Sequence, residues 1–293
     1  MTRRTLYEVP TIAAPSAQEF RRDFFRPGRP AILEGLMDSW PATRSWNPEY
    51  FKQRIGDKQV MVQVAPDGVF GLDPEKGGPR YSPRLMAVRD YVDAMQTAAS
   101  GGDRYYIQRL SIPHAAPELL SDFSTPPYVK PNRVYLTNLW FGPGGNVTRL
   151  HYDVPSNFFA QVYGHKRFII FPPGETRKLY PYRTKAYNMS QVNIERPDLS
   201  TFPRYGSARH LEFVIGPGQM LFLPSFWWHQ VYSEDTGISI NFWSIPALYH
   251  LVAPQTPDSL WDTVKESWRF FRQHSGSPLA GEPASNGKGN ARP

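Results

Sequence analysis

The chain has 293 residues, of which 40% are hydrophobic and 14% aromatic, enough to bury the core of one large domain or two small ones. It contains no cysteine, which excludes disulfides and thiolate-based metal sites, so any metal must be held by His, Asp or Glu. The formal charge of +7 would suit RNA, an anionic membrane or an acidic peptide, although a solvated basic face is the commoner cause.

The sequence has no recognisable membrane segment or secretion signal. No run approaches the ~18 apolar residues that a membrane span needs. The opening residues, MTRRTLYEVPTIAAP, lack the apolar stretch of a secretory signal. We therefore expect a cytoplasmic protein with no membrane partner, in a setting that keeps a redox metal reduced.

The sequence pattern of the first hundred residues predicts helices interspersed with short strands. Ser16 and Glu19 fit the S-x-x-E capping box, which predicts a helix that runs to the Pro-Gly pair at 27–28. Another helix is predicted to start at Ser82-Pro83, as a cap followed by proline. The other predicted elements are a strand over 31–33, a helix over 48–54 and a strand over 60–64. We interpret residues 1–104 as an N-terminal α/β portion that packs on a larger domain.

From residue 105 the pattern changes to short apolar or alternating runs, separated by turns rich in Gly, Pro and Asn. The predicted strands cover residues 105–110, 134–141, 158–163, 167–171, 211–215, 220–223, 229–232 and 238–243. Such spacing is typical of a sandwich or barrel, and double-stranded jelly rolls are prominent among these folds. We expect residues 105–246 to form this mainly β core.

Apolar residues return to helical spacing after Pro257. They are Leu260, Trp261, Val264, Trp268 and Phe271. We predict a C-terminal helix within residues 247–274 and a disordered tail over 275–293. So many aromatic residues on one helix predict a homodimer formed through it. The alternative is that the helix packs on the N-terminal helices of its own chain.

Three residues could form a metal site. His151 and Asp153 are two residues apart, so on a strand both side chains project from the same face. A second His from elsewhere would complete a facial triad with open positions for a cosubstrate and O2. The H-x-D triplet is common by chance, and its alternative is a surface His beside a turn Asp. His229 follows a buried strand and two tryptophans, where a core His bonded to a backbone carbonyl is the alternative.

Long segments of the chain resemble a known family. NVTRLHYDVPSNFFAQVYGHKRFIIFPP, GPGQMLFLPSFWWHQV and INFWS are similar, in order and spacing, to jumonji-type (cupin-like) Fe(II)- and 2-oxoglutarate-dependent oxygenases. Within them the likeness is to the asparaginyl hydroxylases that act on hypoxia-inducible factor. It is strong over residues 105–244 and looser before, where RPAILEGLMDSWPA still matches.

The resemblance implies a double-stranded β-helix, the jelly roll of cupins, with flanking N-terminal helices and a C-terminal helical extension. The implied cofactors are Fe(II), 2-oxoglutarate and O2, and no catalytic residue is expected beyond the metal centre. The implied iron ligands are His151, Asp153 and His229. The implied 2-oxoglutarate-binding residues are Lys166, Thr148, Tyr106, Asn157, Asn241 and Trp243, and Gln108 is an implied substrate contact. From pattern alone, Lys166 would be interpreted as a solvent-facing turn lysine.

The resemblance weakens at the substrate side. The family places an Arg-Gln pair before its S-Q-V segment, where this chain has Asn188-Met189. The hypoxia-factor substrate therefore does not transfer with the iron and cosubstrate residues, and the resemblance implies homodimers of C-terminal helices.

The resemblance implies a hydroxylase that acts on a protein or peptide side chain and releases succinate and CO2. N-methyl lysine demethylation would use the same first step. Because the chain is basic, RNA is the alternative substrate, as for a hydroxylase of tRNA bases. The sequence also leaves open a non-catalytic metal-binding cupin, and a metal cupin that uses no 2-oxoglutarate and would not need Lys166.

Overall fold

The computed structural model describes residues 8–71, 78–97, 103–183, 186 and 188–244, and the backbone of 4–5. The strands of this part of the chain are β1 (Arg4–Thr5), β2 (Thr11–Ala13), β3 (Ala31–Glu34), β4 (Gln59–Ala65), β5 (Val69–Phe70), β6 (Ser82–Ala87), β7 (Arg104–Ser111), β8 (Val134–Gly142), β9 (Val147–Tyr152), β10 (Ser156–Tyr163), β11 (Lys166–Phe171), β12 (Arg209–Ile215), β13 (Met220–Leu223), β14 (Trp228–Ser233) and β15 (Gly237–Ser244). The α-helices are α1 (Ala17–Phe20), extended by a π-helical turn over Arg21–Phe25, α2 (Ala42–Ser45), α3 (Pro48–Ile55), α4 (Val88–Thr97) and α5 (Ile112–Ala115). Short 3-10 turns cover Pro117–Asp122, Pro131–Arg133, Pro173–Lys178 and Pro203–Ser207.

These strands form two sheets. The larger has the order β2-β3-β13-β10-β15-β8-β7-β4-β6, and the smaller has the order β1-β12-β11-β14-β9-β5. Neighbours in each sheet are often distant in sequence: β10 pairs antiparallel with both β13 and β15, and β11 with both β12 and β14. Crossed antiparallel connections of this kind are those of a jelly roll. The predicted mainly β, cupin-like fold is therefore confirmed.

Alternation along β10 divides the core into two parts. Phe158 packs with Phe20 of α1 and Phe222 of β13, on the face that the helices cover. Phe159 points the other way and meets Phe168 of β11 at 5.5 Å between ring centroids. Because both faces of β10 are buried, its sequence, SNFFAQVY, does not alternate regularly between apolar and polar residues. The second part of the core, between the sheets, surrounds a pocket.

The prediction of a helix from Ser82-Pro83 was wrong at its start. Residues Ser82–Ala87 form strand β6, which pairs antiparallel with β4, and the helix begins only at Val88. Leu85, expected on the buried helical face, is 61% exposed. The ladder with β4 supplies the backbone hydrogen bonds of this segment, so tertiary pairing overrides the local capping pattern.

The strand predictions for residues 105–243 are confirmed to within two residues at each end, but β9 was missed. This strand carries His151 and ends at Tyr152, so Asp153 lies just beyond it. Its sequence, VTRLHY, alternates poorly because its pairing with β14 is irregular. The predicted C-terminal helix, tail and dimer contact lie outside the described residues. Within the described part, no helix is both long and apolar enough to cross a bilayer.

One buried carboxylate ties the N-terminal helices together. Asp122 is 8% exposed and accepts hydrogen bonds from Trp46 Nε1 at 2.9 Å and Tyr50 OH at 2.6 Å. Asp122→Ala would leave both donors without a partner, so we expect a loss of about 2–4 kcal/mol in the free energy of unfolding. Urea unfolding would measure it. Asp57→Ala, which removes an exposed ion pair with Arg89, should cost less than about 1 kcal/mol. Equal losses in the two variants would contradict the assignment.

Candidate metal centre and pocket

The two predicted His ligands are brought together by the pairing of β9 and β14. His151 and His229 are direct cross-strand partners, so their side chains share one face of the smaller sheet. Their ring centroids are 4.1 Å apart. Asp153 follows two residues after His151, and its Oδ2 lies 3.8 Å from Nε2 of His229. One ligand atom from each of the three residues lies within 4.8 Å of the others, close enough to hold one metal ion.

Hydrogen bonds fix which ring nitrogens face the site. Nδ1 of His151 lies 2.8 Å from the carbonyl oxygen of Arg149, and Nδ1 of His229 lies 3.0 Å from that of Trp227. A carbonyl only accepts, so Nδ1 of each neutral ring must carry the proton. Both Nε2 atoms then keep a lone pair for a metal. This backbone anchoring is the usual way in which His ligands are oriented.

Burial shapes the charges of the triad. It lowers the pKa of His229 well below its usual range, and nearby His151 acts in the same direction. Burial also raises the pKa of Asp153, partly offset by His151 and Arg109. A half-buried carboxylate beside two imidazole rings is an arrangement that a divalent cation would stabilise. Two His and one carboxylate, with no thiolate in the chain, fit a non-haem Fe(II) site with open positions.

A bulge in β9 places Thr148 on the same side as His151. His229 faces His151 and Val231 faces Thr148, so the one residue between them in β14 faces two residues of β9. The extra residue shifts the alternation, and both Thr148 and His151 line the pocket. Gln230 Oε1 accepts the displaced backbone N–H of Leu150 at 3.1 Å, which stabilises the irregular pairing.

The pocket runs from the triad into the space between the sheets. It is lined by most of the predicted site residues: Tyr106, Gln108, Thr148, His151, Asp153, Asn157, Lys166, His229 and Trp243. Asn241 does not line it; its Nδ2 donates to Asn157 Oδ1 at 3.3 Å and its Oδ1 accepts from Trp140 Nε1. Asn241 would therefore act through Asn157. Of the neighbouring aromatic residues, Phe159 lines the pocket, whereas Phe158 and Trp228 belong to the core and Trp227 packs beside it.

Lys166 lies at the deep end of the pocket as a buried cation. It is 1% exposed, and its Nζ donates to Tyr106 OH at 2.7 Å and Ser233 Oγ at 3.2 Å. No carboxylate of the described residues pairs with it. A buried charge is costly unless an opposite charge meets it, so this end is suited to an anionic group. The turn-lysine interpretation from pattern alone was wrong, since Lys166 is the first residue of β11.

Two further polar atoms in the pocket have no partner. Nε2 of Gln108 and Nε1 of Trp243 are both buried, and neither forms a hydrogen bond within the described structure. Buried donors are normally satisfied, so unpaired ones beside a pocket indicate a ligand with acceptor atoms. Together with Lys166, they fit a cosubstrate or substrate rich in carboxylate or carbonyl oxygens.

The structure adds residues that sequence analysis did not assign to the pocket. Ser233 is the cross-strand partner of Lys166, which only the register of β11 and β14 reveals. Asn188 and Met189 were noted only as a departure from the family, yet both line the pocket. Met189 forms an isolated bridge with His151, so the long β11–β12 connection reaches the triad. No local signal in the sequence indicates this contact.

Arg109 is another pocket residue that sequence analysis did not assign, and its backbone conformation is unusual. Its φ of +53° is in the left-handed region, which costs a residue with a Cβ on the order of 1 kcal/mol or more. Arg109→Gly should therefore raise the free energy of unfolding by about 0.5–1 kcal/mol, as measured in urea. Arg84→Gly, at an ordinary position in β6, should lower it. A loss of stability in both variants would contradict the claim that the backbone of Arg109 is strained.

Comparison with known proteins agrees with this site. A family model described as a cupin-like domain matches residues 16–244, which is most of the chain, and the protein belongs to that family. Its relatives confirm the likeness to jumonji-type oxygenases. Lysine-specific demethylase 8 of Xenopus tropicalis is 35% identical over 240 residues, covering 80% of this chain and 52% of the relative. The chain thus spans about half the length of that protein.

Two human relatives cover more of their own length. The bifunctional peptidase and (3S)-lysyl hydroxylase JMJD7 is 29% identical over 262 residues, covering 78% of this chain and 81% of the relative. The tRNA wybutosine-synthesizing protein 5 is 29% identical over 247 residues, covering 80% and 77%. The names of these relatives thus refer to three activities, namely lysine demethylation, lysyl hydroxylation and tRNA modification.

Proposed function

We propose that the protein is an Fe(II)- and 2-oxoglutarate-dependent oxygenase that hydroxylates a protein side chain. The observation that carries the proposal is one pocket with a His, Asp, His triad and a buried lysine that no carboxylate of the described residues neutralises. A dicarboxylate ligand could bind a metal at the triad with one end and Lys166 with the other. The family membership and the lysyl hydroxylase relative support the same class of reaction.

The roles of the residues follow from their positions. His151, Asp153 and His229 would hold Fe(II), and Lys166 with Tyr106 would bind the distal carboxylate of 2-oxoglutarate. When bound, the iron and 2-oxoglutarate supply the oxidising chemistry that inserts one atom of O2 into a C–H bond and releases succinate and CO2. Phe159 and Phe168, on the inner faces of the two sheets, would exclude water from this reaction.

RNA is the second candidate substrate. The net charge of +7 and the likeness to a tRNA-modifying relative favour it. Succinate formation with Fe(II) and 2-oxoglutarate, measured against a panel of peptides and RNAs, would separate the two, with mass spectrometry to find the added oxygen atom. A non-catalytic metal-binding cupin would bind the metal and form no succinate with any substrate. Residence in the cytoplasm and dimerisation through the C-terminal helix remain predictions.

A further inference from the structure

The feature that leads beyond the cosubstrate site is a second bulge, in β7. Ile107 pairs with Phe141 and Leu110 with Leu139, so Gln108 and Arg109 together face the single residue Trp140 of β8. Regular alternation would turn one of the two away from the pocket. Instead both line it, and the left-handed backbone of Arg109 is the conformation that permits this. Bulges re-aim side chains next to functional sites.

Arg109 is a cation at the rim of the pocket. It is exposed although it lines the pocket, and none of the described residues forms an ion pair or hydrogen bond with it. The neighbouring amide of Gln108 has an unpaired buried donor as well. The rim therefore offers hydrogen-bond donors and positive charge.

The charge of the loaded site leaves Arg109 unmatched. Among the described residues that line the pocket, the Asp, Glu, Lys and Arg side chains are Arg109, Asp153 and Lys166. If the proposed function holds, the two charges of Fe(II) balance those of 2-oxoglutarate, and Asp153 balances Lys166. We infer that Arg109 is a substrate-positioning residue that selects a protein segment with a carboxylate close to the hydroxylated side chain.

The surroundings of Arg109 favour an acidic peptide over RNA. One guanidinium suits one carboxylate, whereas RNA binding depends on several phosphate contacts. Met189 and Trp243 give the rest of the substrate side an apolar character, and neither is a cation. The same surface could stack a base, so RNA is retained as an outcome of the test.

The test is a charge reversal read by binding and not by turnover. Full-length protein loaded with Mn(II) and 2-oxoglutarate would be immobilised and offered two random peptide libraries, one containing Asp and Glu and the other Lys and Arg. Wild type should retain the acidic library on the order of tenfold better. Arg109→Glu should reverse the preference, and Arg109→Lys should keep it in weaker form. Because the ratio is taken within each protein, changes in overall affinity cancel.

Arg26→Glu is the matched control, since it makes the same change in net charge at an exposed site outside the pocket. It should behave as wild type; a reversal by Arg26→Glu would assign the effect to net charge and overturn the inference. So would a wild-type preference for basic peptides, no preference, or displacement of the acidic library by a structured RNA. Binding of 2-oxoglutarate is measured separately on wild type. Its absence refutes the proposed function, whereas its presence without an acidic preference refutes only the role of Arg109.

Discussion

Asp153→Ala is expected to reduce iron-dependent succinate formation by more than about a hundredfold, while the protein stays folded. Even the outer partners of metal ligands are worth roughly ten- to a hundredfold, and Asp153 would be a ligand itself. It is the only anionic member of the triad, so its loss removes charge as well as coordination. Succinate formation at saturating 2-oxoglutarate, together with the iron content of the purified protein, would measure the effect.

Stability separates the loss of the metal from unfolding. Burial raises the pKa of Asp153, so its ionised form is unfavourable in the metal-free fold at neutral pH. The metal-free Asp153→Ala protein should therefore melt at or above the temperature of metal-free wild type. Asp235→Ala, which removes an exposed carboxylate paired with His165, should leave succinate formation intact. Full activity of Asp153→Ala would refute the metal centre.

Most of the strand content could be predicted from local pattern. Many core strands are short apolar runs bounded by turn residues. Gly164 and Gly218, both at positive φ, are examples of turn residues that mark where strands end. The residues of the triad could be predicted because an H-x-D triplet and a His after a buried strand are both visible in the local sequence. That His151 and His229 lie side by side could not be predicted locally, since it depends on the register of β9 and β14.

Two bulges bring to the pocket pairs of residues that regular strand alternation would separate. Thr148 with His151, and Gln108 with Arg109, reach the pocket together only because a bulge shifts the alternation of their strands. A period of two, applied without bulges, puts one member of each pair on the wrong face. Family resemblance supplied Thr148 and Gln108, but it gave no reason to consider Arg109.

The helix wrongly predicted from Ser82 shows that a clear local pattern can be overridden by tertiary pairing. A serine followed by proline is a common helix start, and the apolar spacing that follows also fits a helix. The pattern could not include the pairing of Met61 with Leu85, which is a contact between distant residues that holds this segment as a strand. Local propensity decides only where no neighbouring strand offers a better set of hydrogen bonds.

Lys166→Met is expected to weaken 2-oxoglutarate binding roughly ten- to a hundredfold, because a charge-assisted bond to a buried carboxylate is worth about 1.5–3 kcal/mol. Methionine keeps much of the side-chain volume, so the change tests the charge and not the packing. Iron affinity should change far less, since Lys166 donates to Tyr106 and Ser233 and not to the triad. The ligand-free variant should also be more stable than wild type, because wild type buries a cation that no described anion neutralises.

Ser233→Ala is the matched control: it removes one neutral hydroxyl at 3.2 Å from the same Nζ and should weaken 2-oxoglutarate binding only a few-fold. Calorimetric titration of the metal-loaded proteins with 2-oxoglutarate, beside thermal unfolding without it, would measure both effects. An unchanged dissociation constant in Lys166→Met would move the cosubstrate anchor elsewhere and favour a metal cupin that uses no 2-oxoglutarate.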